Sequence, residues 1–283
     1  LLPSYLKKPI PKQQNIKKIR RIIGSALNTV CESARCPNLG ECFARSTLTF
    51  MILGDTCTRS CAFCAVKKGT PDSPDPGEAR KIAEAVQKLN LTYVVITSVT
   101  RDDLPDGGAE HFVKVIQGLR DMGKGIRIEV LIPDFTGKPL QKIIKARPYV
   151  INHNLETVPR LYPVVRPPAP APYGAGQADY QRSLGIIHSI KETAPSIYTK
   201  SGLMVGLGET RDEVEKSLLD LSEVNCDLVT IGQYLPPSKS NLPVERYVPP
   251  EEFEEYKLSG SRLGLKVSAG PFIRSSYHAG EML

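Results

Sequence analysis

The chain contains no tryptophan, and its aromatic residues together make up 6% of 283 positions. A surface that reads nucleic acid by stacking bases on aromatic rings is poorly supplied by such a composition. No uninterrupted apolar run approaches the ~20 residues that span a bilayer, and there is no apolar signal-peptide core. Acidic residues are missing from the start: Glu32 is the first, and before it stand Lys7, Lys8, Lys12, Lys17, Lys18, Arg20 and Arg21. Those cations equal the whole net charge of +7, so residues 32–283 are balanced. With 41% hydrophobic and 24% charged residues the composition is that of a globular chain able to bury a core. Its length suits one large domain or two modest ones. Membrane-spanning, collagen-like and pervasively disordered classes are excluded, and the cytoplasm, or an organelle matrix, is the expected compartment.

The basic arm carries its own pattern. Ile16, Ile19, Ile23 and Leu27 recur at helical spacing, with Lys17, Lys18, Arg20 and Arg21 mostly turned away. The spacing predicts a short amphipathic helix packed on the body, its charged face suited to an acidic partner or simply solvated. Pro3, Pro9 and Pro11 argue against a transit-peptide helix.

Cysteine is concentrated. Six of the seven, Cys31, Cys36, Cys42, Cys57, Cys61 and Cys64, fall within 34 consecutive residues, and Cys226 stands apart. Without a secretion signal, metal ligation is favoured over a disulfide framework. Cys57-x3-Cys61-x2-Cys64 offers three thiolates on one tight loop, and Cys31-x4-Cys36-x5-Cys42 offers three more. Structural zinc wants four closed ligands. A three-thiolate loop holds three corners of an iron–sulfur cube and leaves one iron open. Phe63 adds an apolar wall beside the last thiolate of the first loop. Cys226 reads as a small core hydrophobe.

The run Cys57–Cys64 resembles the C-x3-C-x-aromatic-C signature of the radical S-adenosylmethionine (SAM) superfamily. Residues 31–42 resemble the auxiliary-cluster motif of the lipoyl synthase family, as does the tail run Arg274-Ser275-Ser276-Tyr277. Further likeness lies in Thr97-Ser98-Val99 through Arg101-Asp102-Asp103 to Gly108, in His153–Thr157, and in Leu242–Tyr247. The resemblance spans about residues 25–279. It implies two 4Fe–4S clusters, one held by Cys57, Cys61 and Cys64 and completed by SAM, the other by Cys31, Cys36 and Cys42 and completed by Ser276. It further implies that Thr97 and Ser98 meet the amino group of SAM, that Asn154 and Glu156 meet its ribose or carboxylate, and that Gly206, in Gly202-x-Met204-x-Gly206-x-x-Glu209, meets its adenine; Asn154 equally suits local backbone groups, and a plain turn is the alternative for Gly206. The run Pro167–Gln177 and the irregular stretch Leu258–Val267 depart from the family pattern.

A coarse pass gives strands at Phe50–Leu53, Tyr93–Thr97, Arg127–Leu131, Tyr149–Asn152, Tyr198–Val205 and Leu228–Gln233. Helical patterns alternate with them: Glu78–Leu89, Glu110–Arg120, Leu140–Lys145, Tyr180–Thr193, Asp212–Glu223 and Glu251–Lys257. Asp75 with Glu78, and Thr210 with Glu213, have capping-box spacing. The expected fold is α/β, a partial (β/α)6 TIM-type barrel with N-terminal and C-terminal extensions, since six units fall short of the eight of a complete barrel. The expected segments are 1–48 (arm and auxiliary motif), 49–258 (barrel) and 259–283 (tail). Three of the motifs follow the C-terminal ends of strands, where parallel α/β architectures place their chemistry.

Sulfur insertion at an unactivated alkyl carbon cannot proceed through proton removal, so a hydrogen atom has to be taken instead. A low-potential cluster that reduces a sulfonium provides the means. The resemblance implies that the auxiliary cluster donates sulfur to carbons 6 and 8 of a protein-bound octanoyl-lysine. A serine oxygen is a harder donor than thiolate, and our hypothesis is that Ser276 is a labile anchor. Implied partners are octanoylated lipoyl carrier domains, namely 2-oxoacid dehydrogenase acyltransferase subunits and the glycine cleavage H protein, and an electron donor such as ferredoxin or flavodoxin. Neither nucleic acid nor membrane is an expected partner, and a monomer is expected. The competing readings are a radical SAM sulfur inserter acting on tRNA or biotin, and a non-catalytic zinc protein.

Overall fold

The computed structural model describes residues 2–123, 125–169, 172 and 178–283. Most of the Pro- and Ala-rich stretch singled out above lies outside the described residues.

Eight strands form the main sheet: β1 (Asn28–Thr29), β2 (Thr49–Ile52), β3 (Tyr93–Ser98), β4 (Arg127–Leu131), β5 (Val150–Asn152), β6 (Tyr198–Val205), β7 (Leu228–Gln233) and β8 (Lys266–Gly270). They lie side by side in chain order, with β1 and β8 at the edges. Only β1 is antiparallel to its neighbour; β2 to β8 are parallel throughout. Helices α1 (Gln13–Ile23), α2 (Val30–Ser33) and α3 (Leu39–Ala44) precede the parallel strands or bridge β1 to β2. Then α4 (Glu78–Leu89), α5 (Ala109–Arg120), α6 (Gly137–Lys145), α7 (Tyr180–Thr193), α8 (Arg211–Glu223) and α9 (Pro250–Arg262) form the crossovers.

Alternation along the strands separates two environments. On β3, Tyr93, Val95 and Thr97 face an internal cavity, whereas Val94 and Ile96 join the apolar layer beneath the helices. That layer takes Ile82 and Val86 from α4, and Phe112, Val115 and Leu119 from α5. Burying each such side chain contributes about 1.5–3 kcal/mol. The expected arm helix is α1, with Ile19 and Ile23 buried and Lys17, Lys18, Arg20 and Arg21 exposed.

All six expected strands are present, and α4 and α7 have the expected bounds. Two readings change. The stretch taken as irregular is the end of α9 followed by β8, a seventh parallel strand paired with β7 from Lys266↔Leu228 to Gly270↔Gly232. The 258/259 boundary therefore falls inside a helix, and the parallel sheet runs to Gly270. The reason is packing: Gly260 accepts the close approach of Val267, whose Cγ2 would lie 2.2 Å from a Cβ there. The second change is at Asp75, which accepts from the Gly77 amide at 2.8 Å rather than forming a capping box, because α4 starts after Gly77. The Thr210–Glu213 box is formed.

Candidate active site

The loop after β2 carries Cys57, Cys61 and Cys64, and its neighbours hold it from both sides. The Thr58 amide donates to the Thr100 carbonyl at 3.1 Å, its hydroxyl donates to Asp102 at 2.8 Å, and Arg59 grips both oxygens of Asp102. Arg101 is buried, donating to the Leu53 carbonyl at 3.1 Å and pairing with Asp103 at 2.7 Å. The Arg101–Gly108 motif is thus the scaffold of the cysteine loop. Gly108 completes it at a φ of +94°, where a Cβ would lie 2.3 Å from Leu53. From the other side, the Asn241 amide donates to the Ala62 and Cys64 carbonyls, and Tyr234 donates to the Leu242 carbonyl at 2.8 Å. Amides of Arg59 and Thr100 point at the Cys57 sulfur, at 3.4 and 3.3 Å.

A cavity of about 640 Å³ lies along the barrel interior. Its wall includes Cys57, Cys61, Phe63 and Cys64 of this loop, Cys31, Cys36 and Cys42 of the N-terminal segment, and Ser276 of the tail. Thr97, Ser98, Asn154 and Glu156 line it as well. Gly206 does not. It turns the chain after β6 at a φ of +99°, where a Cβ would meet Gln233 at 2.2 Å and the Arg246 carbonyl at 2.4 Å. Glu209 caps that turn by accepting from the Gly206 and Leu207 amides at 2.6 and 2.9 Å. Gly202 and Met204 of the same motif reach the cavity instead.

The donors fit the implied groups. Ser98 Oγ, Asn154 Oδ1 and Arg166 Nη1 are buried with no protein partner among the described residues, and all three residues line the cavity. Unpaired buried polar atoms are costly, and a ligand with an amino-acid end would satisfy them. The Thr97 hydroxyl is already engaged, donating to the Leu131 carbonyl at 3.1 Å. Among the described residues no group of His, Cys, Asp or Glu converges on a point that would hold a single metal ion. Burial pushes the Cys31 and Cys64 thiols up to about 12 and raises those of Cys42 and Cys61, so loading iron would release protons.

Residues that spacing alone did not flag complete the site. Asp134, just past β4, is shared by Arg59, by Arg166 at 3.1 Å and by His153 at 3.4 Å. Burial opposes its ionisation, but Arg166, His153 and Arg59 outweigh it and bring the carboxyl down to about 2. The available signal was position: Asp134 stands beyond the C-terminal end of a parallel strand. His153 is a packed residue, held by the Ile132 carbonyl and the Ser183 hydroxyl, each at 3.1 Å. Burial raises the Glu156 carboxyl, which accepts from Asn154 at 3.0 Å. Cys226 is buried in the core, as expected. Arg274 donates to the backbone carbonyls of Pro271 and Ile273 and lies beside Cys36.

Residues 51–221 match the Radical SAM superfamily. The chain is 52% identical to the lipoyl synthase of Caldicellulosiruptor saccharolyticus, covering 99% of this chain and 96% of that one. It is 51% identical to the lipoyl synthase of Chlorobium limicola, covering 99% and 94%. The chain belongs to the lipoyl synthase family. Among solved structures it is similar in fold to the FeFe-hydrogenase maturase HydG of Carboxydothermus hydrogenoformans, with a TM-score of 0.62 at 15% identity, covering 82% of this chain and 55% of that one. Streptococcus suis SuiB bound to S-adenosylmethionine gives 0.59 at 10% identity, covering 91% and 60%. A lipoyl synthase employs SAM and two 4Fe–4S clusters, and both three-cysteine sets of this family member open onto one cavity.

Proposed function

We propose that this chain inserts two sulfur atoms, at carbons 6 and 8, into an octanoyl-lysine carried on a lipoyl domain. The observation that carries the proposal is the meeting of two incomplete three-thiolate sets and a serine around one cavity, in a chain about half identical to lipoyl synthases over almost its whole length. Cys57, Cys61 and Cys64 would hold the SAM-binding cluster, and Cys31, Cys36, Cys42 and Ser276 the auxiliary one. When bound, these groups supply a carbon radical able to take hydrogen from an alkyl chain, together with the sulfur that replaces it.

The protein's own work is placement and exclusion of water. Phe63 and Met204 pack against Val165, Leu207 and Tyr234, forming an apolar wall on the SAM side. Ser98, Asn154 and Nη1 of Arg166, unpaired among the described residues, would receive the polar end of the cofactor, and Asp134 keeps Arg166 charged and oriented. The acyl chain takes the apolar part of the cavity, between Met51, Val95 and Leu131. We place the carriers among 2-oxoacid dehydrogenase acyltransferase subunits and the glycine cleavage H protein, with ferredoxin or flavodoxin as electron donor, in the cytoplasm or an organelle matrix. No helix among the described residues is long and apolar enough to cross a membrane.

The deciding experiment is anaerobic incubation of the cluster-loaded chain with SAM, dithionite and an octanoylated carrier peptide, followed by mass spectrometry. A peptide carrying two added sulfurs is the expected product. SAM cleavage with no sulfur gained by the octanoyl peptide would point to another radical SAM substrate.

A further inference from the structure

The N-terminal segment and the C-terminal tail meet in a polar cluster to which Lys8, Asn38, Glu41 and Arg45 contribute. β1 and β8 are opposite edges of the open sheet, yet the segments flanking them are joined by a dense polar contact. Lys8 donates to Asn38 Oδ1 at 2.7 Å and to Glu41 Oε2 at 2.9 Å. Its ammonium stands 4.5 Å from the centre of the Phe272 ring and 5.3 Å from that of Tyr277. Glu41 turns its other oxygen to the Tyr277 hydroxyl, which donates at 2.6 Å, and Asn38 donates to the Phe272 carbonyl at 2.7 Å. Lys8 thus touches both ends of the tail stretch that contains Ser276, and Glu41 and Asn38 lie between Cys36 and Cys42. On the far side, Gly232 admits the Ile273 carbonyl to within 2.0 Å of where a Cβ would be.

We infer that Lys8, with Asn38 and Glu41, is a positioning clamp that holds the tail so that Ser276 faces Cys31, Cys36 and Cys42. The inference rests on the reading of Ser276 as the auxiliary cluster's fourth ligand. A serine oxygen is a harder donor than thiolate and an unusual ligand for an iron–sulfur cluster; the charge-assisted contacts of Lys8 and the ring faces hold the tail from outside the cluster. Lys8 belongs by composition to the basic arm, but it is engaged within the molecule, as is Arg20 with Glu32 at 2.6 Å, whereas Lys17, Lys18 and Arg21 are exposed.

Two measurements separate the clamp from the ligand reading. In the full-length, cluster-free chain, hydrogen exchange at the tail amides of Ile273–Tyr277 should rise about tenfold in Lys8→Ala and in Glu41→Ala, the factor expected for one lost charge-assisted contact. Amides of β8 should exchange as in the parent, and Lys8→Arg should restore most of the protection. In the full-length chain with Cys57, Cys61 and Cys64 all replaced by Ala, loaded with iron and sulfide, chelator should then strip the auxiliary iron several-fold faster from Lys8→Ala than from its parent. Ser276→Ala should speed iron release while leaving tail exchange in the cluster-free chain unchanged. Unchanged tail exchange in both Lys8→Ala and Glu41→Ala overturns the clamp. Iron release from Ser276→Ala at the parent's rate overturns the ligand reading on which it rests.

Discussion

Asp134 gathers Arg59, Arg166 and His153 in a space nearly closed to solvent, its side chain 3% exposed. Removing its charge takes the ion-pair partner from Arg166, while Arg59 keeps Asp102, so Asp134→Asn should cost about 3 kcal/mol at neutral pH, read by urea unfolding of the cluster-free chain. The pH dependence follows from the same group. Its carboxyl titrates near 2 instead of 3.8, so the folded state binds fewer protons than the unfolded one between these values. That contribution is complete above about pH 4 and is lost on acidification toward pH 2. Burial also holds the His153 imidazole below its usual 6.5, against the pull of Asp134, which again makes the unfolded chain the better proton acceptor. Stability should therefore fall as pH drops from 6.5, and fall further below 4; a thermal midpoint equal at pH 7 and pH 4 would contradict the His153 assignment, and one equal at pH 4 and pH 2 the Asp134 assignment. Gly232 makes the other residue-scale case. A methyl group there collides with backbone at 2.0 Å, not with a movable side-chain tip, so Gly232→Ala should push the tail away and lower the iron bound per reconstituted chain.

At the level of elements, the barrel interior holds an ion pair that apolar patterning does not foretell. Lys200 on β6 and Glu129 on β4 are both fully buried and 3.1 Å apart. Tyr93 on β3 donates to Glu129 at 2.6 Å, and Asn152 on β5 donates at 3.3 Å. Four successive strands thus share one carboxylate, which ties their register together. Lys200→Met should destabilise the chain by about 3–5 kcal/mol, and adding Glu129→Gln should recover much of that loss. Denaturant midpoints of the single and double variants test the coupling. The helices were more legible than this layer, because Ile82, Val86 and Leu89, like Ile16, Ile19 and Ile23, repeat at helical spacing. β8 was not, since Lys266-Val-Ser-Ala-Gly270 is short and lies only partly buried at a sheet edge, where sequence gives little contrast.

For the whole molecule, charge is separated from chemistry. The cation-bearing face of α1 is exposed, and the cavity lies inside the barrel. An acidic carrier would be drawn to that face over roughly a Debye length, about 8–10 Å at ordinary ionic strength. Replacing Lys17, Lys18, Arg20 and Arg21 with Gln should raise the KM for a whole carrier domain and flatten its salt dependence. The KM for a short octanoyl peptide should stay unchanged. An unchanged KM for the whole domain would exclude α1 as the docking face.

The amino-acid sequence by itself determined the grouping of six cysteines into two sets of three, and the fold class. Thiolate spacing on a single loop is local, and strand–helix alternation is written in periods of two and 3.6 residues. The sequence could not determine how separate loops share space. The convergence of residues 31–42 with the tail, the exclusion of Gly206 from the cavity, the capture of Lys8 by Tyr277 and Phe272, and the sharing of Asp134 all depend on contacts between positions far apart in the chain. Two of them, Gly206 and Asp134, arise where loops after neighbouring parallel strands meet, and the other two where the segments beyond the sheet's edges come together. Tertiary packing alone decides such juxtapositions, since no local pattern encodes a distance between opposite ends of a sheet.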